Sequence, residues 1–271
     1  LLRDRQPPYR LLLPGADRLS HWGELPEGAR AARRPLPEED DSIAQLSLAE
    51  RRAVGAVWAE RARSELTAAA LFSAVSRRMF GEPAPAELLW LTARAVCDEM
   101  RHSEICRVVA ERYLGEPVPR PTMNAFAEPR LGAGAYAVLQ GSVNETIGSV
   151  FLTACLEEAT APLARAALRE LSADETDHAR IGWATLGASP PDSPARREVQ
   201  AHLPSFIREA RRAWLSRAAE LPETLPPGHG CLPRAAVVSV VDRALREVVL
   251  PGFAHVGLDP AAATQVLGER V

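Results

Sequence analysis

The sequence predicts an all-α protein, a bundle of four long helices with additional helices on its C-terminal side. Three observations predict it. From Ser42 onward apolar residues recur at helical spacing, and no alternating run of useful strand length interrupts them. Clusters of proline and glycine fall between the periodic segments, where helices must stop or start. The 271 residues are 46% apolar and only 5% aromatic, enough to bury a sizeable, mainly aliphatic core.

Taken in order, residues 1–44 are rich in Pro, Gly and Arg and read as an irregular N-terminal arm. A first helix is expected over 45–80, ending before Pro83 and Pro85, and a second over 84–115. The proline-rich link 116–130 is long enough to cross the bundle end. A third helix, 131–159, turns sharply at Thr160-Ala161-Pro162 into a fourth, 162–187, with Thr160 the candidate N-cap and Pro162 in the first turn. Residues 45–190 thus form the bundle. In 191–271, helices over 194–220 and 233–250 and a short one after Asp259-Pro260 are expected to pack on it within the same domain.

Composition excludes several classes of function. Net charge is −3, and the 32 basic residues, all Arg, form no basic field that would draw nucleic acid or an anionic membrane. No apolar run reaches the roughly 20 residues of a membrane span, and LLRDRQPPYRLLLPG lacks a secretory apolar core. Cys97, Cys106, Cys155 and Cys231 form no CxxC pair and read as free thiols, so a reducing cytoplasmic setting is expected.

The chemistry lies in a two-fold echo. The second helix carries Asp98-Glu99-Met100-Arg101-His102 and the fourth Asp174-Glu175-Thr176-Asp177-His178. Glu and His at i and i+3 share a helix face, so both can point at one ion. A single such pair is a weak signal; two, each preceded by Asp and each mid-helix, are far stronger. The other two long helices supply one acid each. Glu65 sits in the stripe of Trp58, Ala62, Ala69 and Phe72, whereas its competitor Glu60 neighbours polar residues and reads as solvated. Glu145 stands among Val138, Gly141, Gly148 and Leu152. Counted from the turns at about 1.5 Å per residue, all four acids reach one level within a helical turn. Four buried carboxylates demand cations. Two divalent ions cancel their charge, and two neutral imidazoles complete a nitrogen and oxygen set suited to iron or manganese. Cys106, a turn beyond His102, reads as packing, as does Trp58; His21, His202, His229 and His255 read as surface or loop histidines. Arg61, Arg94 and Arg180 are candidates to pair with acids near the site.

The pattern Glu65, Glu99-x-x-His102, Glu145, Glu175-x-x-His178 resembles the ferritin-like di-iron carboxylate superfamily over residues 45–187. The resemblance implies a ferritin-like four-helix bundle in which Glu99 and Glu175 bridge two metals. Glu65 and His102 would complete one site, Glu145 and His178 the other. It also implies that Asp98 and Asp174 fix the histidine tautomers, Asp174 on His102 and Asp98 on His178. The added C-terminal helices and the small residues around Glu145 (Gly141, Ser142, Thr146, Gly148 and Ser149) favour the oxygen-activating branch. By resemblance to its oxygenases and desaturases, Ser149 would be a catalytic proton relay. The tail Val248–Pro260 weakly resembles that of arylamine N-oxygenase-like proteins, but Leu171 occupies the place of their third ligand histidine, which favours a six-ligand oxidase or hydroxylase. The absence of a Cys-rich iron module argues against rubrerythrin-like peroxide reduction. The expectation is therefore an O2-dependent oxidase or oxygenase with two Fe ions (or Mn), a small-molecule substrate and an external electron donor, in a homodimer. A ferritin-like iron-binding or ferroxidase protein without organic turnover is the alternative.

Overall fold

The computed structural model describes residues 34–123 and 128–268, and these residues are all-α, with no strand among them. A helical turn, α1 (Asp41–Ala44), precedes the long helices α2 (Leu48–Met79) and α3 (Ala86–Leu114). After the link come α4 (Ala133–Ala137), a π-helical stretch (Val138–Glu145) and α5 (Thr146–Glu158), which run on as one rod. The chain continues through α6 (Pro162–Ala188), α7 (Pro194–Ala219) and α8 (Arg234–Ala244). A second π turn (Leu245–Val249), α9 (Leu250–His255) and α10 (Ala261–Val266) complete it.

Local chemistry sets the boundaries. Ser47 and Glu50 close a reciprocal capping box at the start of α2. Gly115, at φ 74°, ends α3 in the left-handed conformation. The expected N-cap of α6 is not the one found. Thr160 and Ala161 both donate their backbone N–H groups to the carbonyl of Gly228, at 2.9 Å each. The α6 N-terminus takes its cap from the distant Asp40, whose Oδ2 accepts from Leu163 N–H at 2.8 Å. Of the expected irregular arm, 1–33 lie outside the described residues, and its end differs: Asp41–Ala44 is helical, with Asp40 as N-cap. The helix expected to stop at 250 continues to His255, because Pro251 falls in the first turn of α9, where a missing N–H costs least.

α2 packs along α3, and the α4–π–α5 rod packs along α6; α3 meets α6, and α4 meets α2, so the two hairpins close a bundle. α8 lies on α5, and α7 holds α10 and the π stretch. The apolar core falls into two clusters, one around Phe72, Ala95 and Ile181 and one around Ala62, Cys106 and Leu171. On α2, α3 and α6 the acids and imidazoles stand between the two.

Candidate metal centre

The level between the two apolar clusters brings together the six side chains singled out in the sequence. Glu65 comes from α2, Glu99 and His102 from α3, Glu145 from the last residue of the π stretch, and Glu175 and His178 from α6. They form two groups, Glu65–Glu99–His102–Glu175 and Glu99–Glu145–Glu175–His178. In each group the donor atoms lie within 4.8 Å of one another, and Glu99 and Glu175 belong to both. Glu99, His102, Glu145, Glu175 and His178 are buried; Glu65 is half-buried because it opens onto a cavity.

Both imidazoles turn Nδ1 inward. His178 Nδ1 lies 2.9 Å from Glu99 Oε1, and His102 Nδ1 lies 3.5 Å from Glu99 Oε2 and 3.4 Å from Glu175 Oε1. The outward nitrogens face the aspartates crosswise. His102 Nε2 is 3.3 Å from Asp174 Oδ2, and His178 Nε2 is 3.6 Å from Asp98 Oδ2. In a neutral ring, the aspartate bonded to His102 Nε2 would hold the proton there and leave the Nδ1 lone pair facing the centre, whereas His178 Nε2 stands too far from Asp98 for a hydrogen bond.

Two arginines neutralise the aspartates. Arg94 reaches Asp98 at 3.0 Å and Asp174 at 2.9 Å. Arg101 bridges Asp98, Asp174 and Glu170. The negative charge that remains is that of the four glutamates. Of the other candidate arginines, Arg180 pairs with Asp177 at the surface, and Arg61 pairs with no acid among the described residues.

Electrostatics without a cation push protons into the centre. Burial, followed by the charges of Glu99 and Glu175, raises the carboxyls of Glu65 and Glu145 well above the ordinary carboxylate range. Burial would also raise Glu99 and Glu175, but the two imidazoles outweigh it and hold both below that range. Burial opposes charge on His102 and His178; the surrounding carboxylates prevail and raise both well above an ordinary imidazole.

The donor set fits a pair of divalent cations on an observation independent of those shifts. Both oxygens of Glu99 and the Nδ1 atoms of His102 and His178 are buried without a hydrogen-bond partner. Buried acceptors left unmatched are costly. Atoms that approach to 2.9 Å without hydrogen-bond alignment have the geometry of ligands converging on a third atom.

The centre opens on one side. A cavity of about 600 Å³ is lined by Glu65, Glu145 and Glu175 together with Gln140, Asn144, Leu71 and Phe151. Gly148 keeps space clear there, since a Cβ built on it would meet only Glu145 Oε2, at 4.0 Å. Ser149 is not part of this wall; its Oγ is buried without a hydrogen-bond partner, and no bond joins it to the carboxylates.

Some functional side chains escaped the sequence reading. Gln140 Nε2 donates to Glu145 Oε1, and Asn144 donates to Gln140 Oε1 at 3.3 Å. Gln140 reaches a residue five positions on because the backbone is π-helical there, an alignment that an α-helical period hides. Arg101 was visible inside its own motif, but the second motif has Asp177 at the equivalent place, so no repeat marked it. His229, expected at a surface or loop, is in a loop but buried, with Nδ1 2.8 Å from the Tyr113 hydroxyl. His202 and His255 are exposed, and His21 lies outside the described residues. Cys106 is buried, and burial, with the charge of Glu65, pushes its thiol up, as suits a packing residue.

Compared with protein-family models, with curated proteins and with solved structures, the chain matches none. The ferritin-like resemblance therefore rests on the residues and their geometry alone.

Proposed function

We propose that the chain is a non-haem di-metal oxidoreductase of the ferritin-like kind that uses O2 to oxidise a small organic molecule. The observation that carries the reading is the pair of four-donor groups sharing Glu99 and Glu175. Glu65 and His102 would hold one ion and Glu145 and His178 the other, with the shared glutamates between them. Iron, or manganese in its place, would supply the electrons that O2 needs, and an external donor would restore them.

The protein's own contribution is positional and electrostatic. Asp174 orients the His102 ring, Asp98 lies beyond the His178 ring, and Arg94 and Arg101 offset the charge of both aspartates. Phe72, Ile105 and Leu171 are fully buried around this level and exclude water on the closed side. Gln140 fixes the orientation of Glu145 at the open side, and the cavity admits a molecule there. A cavity of about 600 Å³ favours organic turnover over iron handling, since it is within the usual range for a small-molecule site.

Elemental analysis after anaerobic Fe(II) loading should find close to two ions per chain, and Glu99→Ala or His178→Ala should each abolish the pair. Stoichiometric O2 consumption by the loaded protein, accelerated by an organic substrate, supports an oxygenase. Uptake of many irons per chain would replace it with the iron-handling reading. Two irons retained in both variants would overturn the ligand assignment.

A further inference from the structure

Two guanidiniums on the cavity wall have no carboxylate partner among the described residues. Arg61 is only 6% exposed. Its Nη2 donates to the Gly230 carbonyl at 3.0 Å and lies 3.6 Å from Cys155 Sγ. Its guanidinium carbon stands 4.2 Å from the centre of the Trp58 ring, and its Nη1 is buried without a hydrogen-bond partner. Arg217, at the rim, donates to Ser64 Oγ at 3.0 Å and covers the Trp214 ring at 4.8 Å. The third arginine on the wall, Arg63, is neutralised by Glu60.

The remaining acids on the wall, Glu65, Glu145 and Glu175, belong to the two donor groups. With those acids committed to cations, Arg61 and Arg217 leave the cavity positive. A buried, permanently charged group without a counter-charge is costly, and an anion in the adjoining cavity lowers that cost. A carboxylate matches the forked geometry of a guanidinium.

We propose that the cavity binds an amphipathic carboxylate, its head held by Arg61 and Arg217 and its apolar body laid along Phe151 and Leu71 beside Glu65 and Glu145. The proposal rests on the di-metal reading for the neutralisation of the cavity acids. Arg61 precedes Glu65 by one helical turn, about 6 Å of rise. The carbon presented to the centre is therefore a few bonds from the carboxylate.

The test uses full-length, anaerobically Fe(II)-loaded protein whose metal content is measured first. Octanoate and 3-phenylpropanoate are titrated calorimetrically against their primary amides. Both carboxylates should bind at least about ten-fold more tightly than the amides, the scale of one charge-assisted bond. Arg61→Met should erase that preference and Arg217→Gln should weaken it. Arg61→Met should also abolish the shift in melting temperature that octanoate induces in the parent protein, each shift being read against the same variant without ligand. If Arg61→Met does not fold, Arg61→Lys, which keeps the charge and loses the fork, should reduce the preference alongside Arg217→Gln. Equal affinity for acid and amide overturns the proposal. So does a preference that survives in every arginine variant, since the carboxylate would then be held at the metals. Failure to load metal overturns the di-metal reading and is scored separately, with binding read on the same preparations.

Discussion

Glu65 and Glu145 set the first part of the pH response expected of the metal-free protein. Both carboxyls lie above their ordinary value of 4.5, so the folded chain keeps protons that the unfolded chain releases. Their contribution to stability is complete below the ordinary carboxylate range and is lost as pH rises through the raised values. His102 and His178, raised above 6.5, act in the same sense at higher pH. Glu99 and Glu175 are lowered and act oppositely; their stabilisation is lost only as pH falls through their depressed values. Over the interval that begins above the ordinary carboxylate range the raised groups decide, because the lowered ones have finished titrating. The metal-free melting temperature should fall across that interval, and the gain on adding Fe(II) or Mn(II) should grow with pH, since cations displace those protons. A flat metal-free profile in thermal denaturation would contradict this account. At this scale the sequence was informative where a residue broke its own surroundings. Glu65 was marked by its apolar stripe, while Glu60 lay among polar neighbours and pairs with Arg63. Arg101 and His229 carried no such mark: the partners that explain them stand 73 and 116 residues away.

Among the elements, the crossing of the π stretch over α6 governs how close the two donor groups come. Gly141 and Gly182 put backbone against backbone. A Cβ on Gly182 would lie 2.3 Å from Ser142 N and 2.9 Å from Ala137 O, neither of which can swing aside. Gly182→Ala should therefore cost about 1–3 kcal/mol in denaturant unfolding and loosen metal binding by separating Glu145 from His178. Gly187, on the same helix, is the control, because a Cβ there meets nothing within 4 Å. Gly187→Ala should be neutral or stabilising by up to about 1 kcal/mol through helix propensity. Helix limits were legible to within a few residues because Ser47, Gly115 and the prolines act locally. The π stretch Val138–Glu145 was not, and its close partner on α6, Gly182, is absent from the local pattern.

Over the whole molecule, the loop Gly228–Gly230 binds the C-terminal segments to the bundle. The Gly228 carbonyl holds the turn before α6, and the His229 carbonyl accepts from the Trp58 indole at 3.1 Å. Gly230 has φ 71°, and a Cβ there would sit 3.0 Å from both Trp58 and Leu168. Gly230→Ala should lower unfolding stability by about 1–3 kcal/mol through strain and overpacking, with two metals still bound, as guanidinium titration and elemental analysis would show. The expected C-terminal helices are present, but nothing local in the sequence announced this buried loop. No helix among the described residues is long and apolar enough to cross a membrane.

The reach of those bonds also imposes an order on biosynthesis. Trp58 and Arg61 find their carbonyl acceptors 171 and 169 positions later. A nascent chain on the ribosome can pair its first two rods early, but that end of the interior stays unfinished until the loop has left the exit tunnel. The exposed greasy surface of a half-made polypeptide is then a hazard that lasts until residues 228–230 have emerged.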